Sequence, residues 1–191
     1  MALVVFLRGV NVGGHRTFRP AALAAQLKHL DAVNIGAAGT FVIRARITRA
    51  QLRAELARRL PFETTIAICD GRDIAKLIDS EPYAHERAPD VVRFISVLTA
   101  SPRLKPALPM TFPPRGKWLV KILARDGCFI VGQYRRHMKT IGYLGGIDRL
   151  FGVPVTTRSW STMASIGRVL ATTTAGRARA SWRCASRLRG P

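Results

Sequence analysis

The residues best suited to chemistry lie in a loop near the start of the chain. Arg8-Gly9-Val10-Asn11-Val12-Gly13-Gly14-His15 follows an apolar strand and precedes a helix, the setting in which phosphate loops are found. Arg8 offers a guanidinium for a phosphate, Asn11 a polar amide, and His15 an imidazole that titrates near neutrality. Gly9, Gly13 and Gly14 let backbone N–H groups approach an anion closely. The helix start behind them favours negative charge. The spacing is neither G-x-G-x-x-G nor G-x-x-x-x-G-K-[ST], and the phosphate-loop lysine is missing. A tight crossing that needs positive φ, with Asn11 bonding the backbone, explains the same residues.

A second candidate segment, Thr156-Thr157-Arg158-Ser159-Trp160, stands near the other end. Thr157 and Arg158 put a hydroxyl and a guanidinium beside a predicted helix N-terminus, which also suits an anion. Trp160 reads equally well as a core anchor. If the two segments meet in the fold, the ligand-binding set is Arg8, Asn11, Gly13, Gly14, His15, Thr157 and Arg158.

Other chemistry finds little support. Glu63, Asp70, Asp73, Asp126 and Asp148 read as surface, cap or turn residues, and no carboxylate pair has catalytic spacing. His15, His29, His85 and His137 are isolated, so no metal site is expected. No catalytic residue or cofactor is assigned, and whether the protein is an enzyme stays open. Cys69, Cys128 and Cys184 form no C-x-x-C pair, and an odd, sparse set suits a reducing compartment. Cys69 and Cys128 read as small core hydrophobes. No apolar run approaches the roughly 18 residues needed to span a bilayer, and residues 2–7 have neither the basic flank nor the cleavage site of a signal peptide. The expected address is the cytoplasm, with no membrane partner.

Charge narrows the partners. Lys and Arg number 31 against 11 Asp and Glu, a formal net charge of +20, and 25 of the 31 are arginine. Such a surface favours bidentate contact with phosphate or carboxylate and speeds association with polyanions. Non-specific nucleic-acid affinity is expected in vitro. A GC-rich genome writing Arg for Lys accounts for the same bias.

These residues must be positioned by elements legible from pattern. Residues 2–7 read as a buried strand. Pro20 opens a helix carrying Leu23, Leu27 and Leu30. Strands follow at 32–35 and 40–44 around a Gly36–Gly39 turn. Thr48 and Gln51 form a capping box for a helix to about Leu60, and Pro61 stops it. Residues 63–69 make a fourth strand. The order β-α-β-β-α-β is a ferredoxin-like, split-βαβ unit. A helix over 71–79 and a polar linker over 80–89 come next. Residues 91–98 are a strand. Residues 101–116 hold five of the eleven prolines and read as an extended connection. Strands at 117–124 and 128–134 flank an Asp126-Gly127 hairpin signal. A short helix over 143–151, an extended piece at 155–157 and a helix from Ser159 or Ser161 to about Leu170 complete the set.

The reading is an α+β protein of two ferredoxin-like halves, residues 1–80 and 90–170, the second a rougher copy of the first. Residues 171–191, rich in Ala, Thr, Arg, Ser and Gly, are expected to be a disordered basic tail. That tail is either a polyanion-binding arm or a non-functional extension.

Two segments carry a family likeness. Phe6-Leu-Arg8-Gly9-Val10-Asn11-Val12-Gly13-Gly14-His15 resembles the opening L-R-G-x-N-V-G-G loop of the domain of unknown function 1697 family. Phe151-Gly152-Val153-Pro154-Val155-Thr156-Thr157-Arg158-Ser159-Trp160 resembles that family's closing L-G-V-x-x-T-T-R-N-W segment. The resemblance covers residues 1 to about 170 and implies a pair of ferredoxin-like α+β subdomains; it brings no established activity. The chain departs from it at Ala38-Gly39-Thr40, where the family reads S-G-N, so any ligand contacts made by that loop are altered. The functional expectation is a protein that binds a small phosphorylated or nucleotide-like anion. The alternatives are a nucleic-acid-binding protein using the sheet face and its arginines, and an enzyme acting on a phosphorylated substrate.

Overall fold

Strand β1 (Leu3–Leu7) is buried along its whole length, and its alternating side chains divide between two cores. Both of its faces must therefore be covered, which the continuous apolar run anticipates. The computed structural model describes residues 2–11, 18–83 and 88–186, with side chains as far as residue 173. After β1 come α1 (Pro20–Gln26), β2 (Ala32–Asn34), β3 (Thr40–Ile43), α2 (Arg49–Arg59), β4 (Ile66–Asp70) and α3 (Gly71–Asp79). The four strands form one antiparallel sheet in the order β2-β3-β1-β4. Pro20 stands in the first turn of α1, and the Thr48–Gln51 capping box opens α2. Leu23 and Leu27 near α1 and Leu52 and Leu56 of α2 pack with Leu3, Val5, Leu7, Phe41 and Ile43 on one face of the sheet.

The second sheet comprises β5 (Val91–Leu98), β6 (Met110–Phe112), β7 (Val120–Asp126), β8 (Phe129–Arg135) and β9 (Val155–Ser159). It is antiparallel throughout, in the order β6-β7-β8-β5-β9. Helices α4 (Thr140–Gly145) and α5 (Ile147–Phe151) follow β8, and α6 (Trp160–Ser186) follows β9. Ile147 and Phe151 close the face formed by Phe94, Leu98, Val120, Ile122 and Ile130.

The remaining face of each sheet contributes to one shared core. Val4, Phe6, Val42, Ala67 and Cys69 of the first sheet cluster with Ile95, Val97, Phe129 and Val131 of the second. Ile74 and Leu77 of α3 and Met163, Ile166 and Leu170 of α6 complete it. Phe6 and Phe41 are both fully buried, so neither is presented for stacking on a base.

Three expectations are corrected. The second half is not a copy of the first: no helix separates β5 from β6. Pro102, Pro106 and Pro109 deny that connection a helical hydrogen-bond ladder, and the strand missed within it, β6, pairs with β7 instead. The last helix does not stop near Leu170. Its backbone stays helical through Ser186, over a stretch rich in Ala and Arg, both strong helix formers, and free of proline. Residues 187–191 of the expected disordered tail lie outside the described residues. The start of the expected 80–89 linker is packed into the fold, and residues 84–87 lie outside the described residues. Tyr83 is buried in the shared core, and its hydroxyl donates to the carbonyls of Phe94 and Gly132. Burial pushes the Tyr83 phenol well above its ordinary range.

Candidate functional site

The segments around Arg8 and Arg158 do meet. β9 is the edge strand of its sheet, and Arg158 on it projects toward the first sheet. Its Nε donates to Thr40 Oγ1 at 2.7 Å. Nη1 donates to Thr156 Oγ1 at 2.8 Å and to the Thr157 carbonyl at 2.9 Å. Nη2 donates to the carbonyls of Leu7 at 2.8 Å and Ala38 at 2.6 Å. A guanidinium has five N–H donors, and all five are used here. The side chain also lies against the Phe6 ring, 5.8 Å from its centroid. Arg158 is only 7% exposed, and desolvation lowers its pKa to about 10, so it remains a cation at neutral pH. Its acceptors are all neutral oxygens.

This geometry gives the Ala38-Gly39-Thr40 departure a consequence. Thr40 is fully buried, and its hydroxyl is an acceptor for Arg158. Ala38 contributes its carbonyl, which no side-chain change removes. Gly39 has φ +67°, and a Cβ there would stand 2.7 Å from Val10 Cγ2. The loop is thus shaped to hold the arginine.

Arg8 is more open, with 44% of its side chain exposed. Its Nε donates to the Val155 carbonyl at 3.0 Å and its Nη2 pairs with Asp148. The other oxygen of Asp148 accepts from the Val155 N–H at 3.0 Å. Asn11 occupies the left-handed region at φ 54°, which Asn tolerates better than most residues. Its amide donates to the Ala37 carbonyl at 2.8 Å, and its Oδ1 accepts from the Phe18 N–H at 3.0 Å. Both ends of that side chain fasten loop to loop. Gly13, Gly14 and His15 lie outside the described residues. Thr157 bonds Ser96 through its hydroxyl at 2.7 Å.

Beside this junction, a cavity of about 620 Å³ opens at the start of α6. Arg93 of β5, Arg136 after β8, and Ser159, Trp160 and Ser161 are among the residues that line it. Ser159 Oγ accepts from the Thr162 N–H at 3.3 Å and lies 2.8 Å from Ser161 Oγ, as a helix cap does. Gln133, the cross-strand partner of Arg93, is fully buried, and neither end of its amide has a hydrogen-bond partner. Arg135 is turned elsewhere, paired with Asp90 and lying 4.4 Å over the Trp118 ring. That contact holds the exposed Asp90 carboxyl below its ordinary range. Arg93 and Gln133 were missed from sequence, where each is a polar interruption in a strand; their two-residue spacing from Ile95 and Val131, which puts them on the same face as those core residues, was the available signal.

Comparison with solved structures finds the fold elsewhere. A conserved bacterial protein from Streptococcus pneumoniae, SP0830, superposes with a TM-score of 0.56 at 18% identity, over 88% of this chain and 98% of its own. At that identity the likeness speaks for the fold alone. No curated protein matches the chain. The L-R-G loop that Asn11 ties down and the turn that receives Arg158 both fall within residues 1–110, the part matched by the family described as protein of unknown function (DUF1697), and to that family the chain belongs.

Proposed function

We propose that the protein binds a small phosphorylated or nucleotide-like anion, and that it does so in the cavity at the start of α6. The observation that carries this reading is the joint presence there of Arg136, Arg93, two serines, an indole and the positive end of a long helix. Guanidinium groups and helix N-termini both favour phosphate, and Trp160 offers a face for a base or sugar. Thr157 and Arg158 serve this site from behind, by fixing the strand from which α6 departs. The Arg8 loop is the second reading. It is supported by Arg8 Nη1, which has no hydrogen-bond partner among the described residues, and it would add Arg8, Gly13, Gly14 and His15 as contacts.

Calorimetry with AMP, pyrophosphate and a short oligonucleotide at ~0.15 M salt separates these readings. Saturable AMP or pyrophosphate binding is expected. It should weaken about tenfold or more in Arg136→Ala, the scale of one charged hydrogen bond, and persist in Arg8→Ala. The reverse pattern transfers the site to the Arg8 loop. Binding of the oligonucleotide alone makes the partner a nucleic acid, and silence with all three removes the proposal.

A further inference from the structure

Cys69 and Cys128 are 59 positions apart in sequence, and their sulfurs stand 3.9 Å apart. Cys69 belongs to β4 of the first sheet and is buried; Cys128 sits in the turn between β7 and β8 of the second and is only partly buried. Both line a cavity of about 290 Å³ whose wall includes Arg49, Arg53 and Asp73. A second cavity, of about 300 Å³, reaches Cys128 past Gly127. Both residues thus border open space as well as packing with the core that the two sheets share.

We propose that Cys69 and Cys128 form an oxidant-responsive dithiol, which a small hydroperoxide converts into a disulfide joining the two sheets. A reactive thiol needs access to its oxidant, and Cys128 is only partly buried and lines both cavities. The hydrogen bond from Cys69 lowers the Cys128 thiol pKa against burial and the nearby Asp73 charge, while the same hydrogen bond and burial raise that of Cys69. The roles follow from exposure: the partly buried Cys128 meets the peroxide and the buried Cys69 resolves. The Cys128 thiolate attacks the peroxide, an S–O bond forms, the O–O bond breaks, and the leaving alkoxide or hydroxide takes up a proton. Cys69 then attacks the Cys128 sulfenic acid. The S–S bond forms, the S–O bond breaks, and hydroxide leaves with the Cys69 proton as water. Two thiols lose two electrons and the peroxide gains them. The sulfurs must close from 3.9 Å to about 2.05 Å. Cys69 is held in register with Val4 and the Cys128 carbonyl accepts from the Leu98 N–H at 2.8 Å, so the approach falls to side-chain rotation beside the exposed Asp126-Gly127 turn.

The test uses the full chain carrying Cys184→Ser, treated with near-stoichiometric hydrogen peroxide, alkylated, and mapped by mass spectrometry. The expected product has lost the mass of two hydrogen atoms, yields a peptide pair linked through Cys69 and Cys128, and reverts with dithiothreitol. In Cys69→Ser, dimedone should trap the sulfenic acid on Cys128. Two alkylated thiols after peroxide treatment, or links formed only between molecules, would overturn the proposal. Because the unsubstituted pair is itself read out, it remains testable even if a serine variant fails to fold.

Discussion

Arg158 directs all five of its guanidinium N–H donors into the fold. A guanidinium beside two threonines suits an external anion, yet here its donors meet the Leu7, Ala38 and Thr157 carbonyls and two threonine hydroxyls. Removing it leaves several buried oxygens without donors, each costing about 1–3 kcal/mol when unsatisfied. Arg158→Met is expected to destabilise the fold by about 3 kcal/mol, measured by urea unfolding. Arg158→Lys should recover little of that, because an ammonium has three donors and lacks the planar fork. A Lys variant as stable as the parent would mean that the charge matters more than the fork.

At the scale of elements, local signals held where the chemistry is local. The Thr48–Gln51 box is closed in both directions, with Gln51 N–H on Thr48 Oγ1 at 3.2 Å and Thr48 N–H on Gln51 Oε1 at 3.1 Å. Thr48→Ala should cost α2 about 1 kcal/mol, seen as a lower urea midpoint with unchanged slope. Glu55 on the same helix draws Arg58 and Arg59 to one carboxylate, which spends one of the chain's few acids on its own element. β6 was not legible, because three residues between prolines carry almost no pattern and gain strand geometry only from β7.

The whole molecule is organised by the core that the two sheets share. Val4, Phe6 and Cys69 on one side and Ile95, Val97 and Val131 on the other would each lose their cover if the halves parted. Burial of apolar side chains contributes roughly 1.5–3 kcal/mol each, so separation exposes far more than a marginally stable domain can lose. Unfolding is therefore expected to be a single transition. Far-UV circular dichroism and tryptophan emission should give coincident curves in urea. Two resolved steps would show that each sheet with its own helices is stable alone.

Signals that depend on neighbours along the chain were legible in the sequence by itself: the strands and helices of residues 1–80, the capping box, the Asp126-Gly127 hairpin and the opening motif of the family. Whether the Arg8 and Arg158 segments meet stood there only as a condition. Only the tertiary structure decided what those groups face, because the acceptors of Arg158 come from residues up to 151 positions away. The same holds for the Cys69–Cys128 approach and for the cavity between Arg93, Arg136 and α6. Each is made by side chains from separate strands, and no spacing within one segment encodes the distance between them.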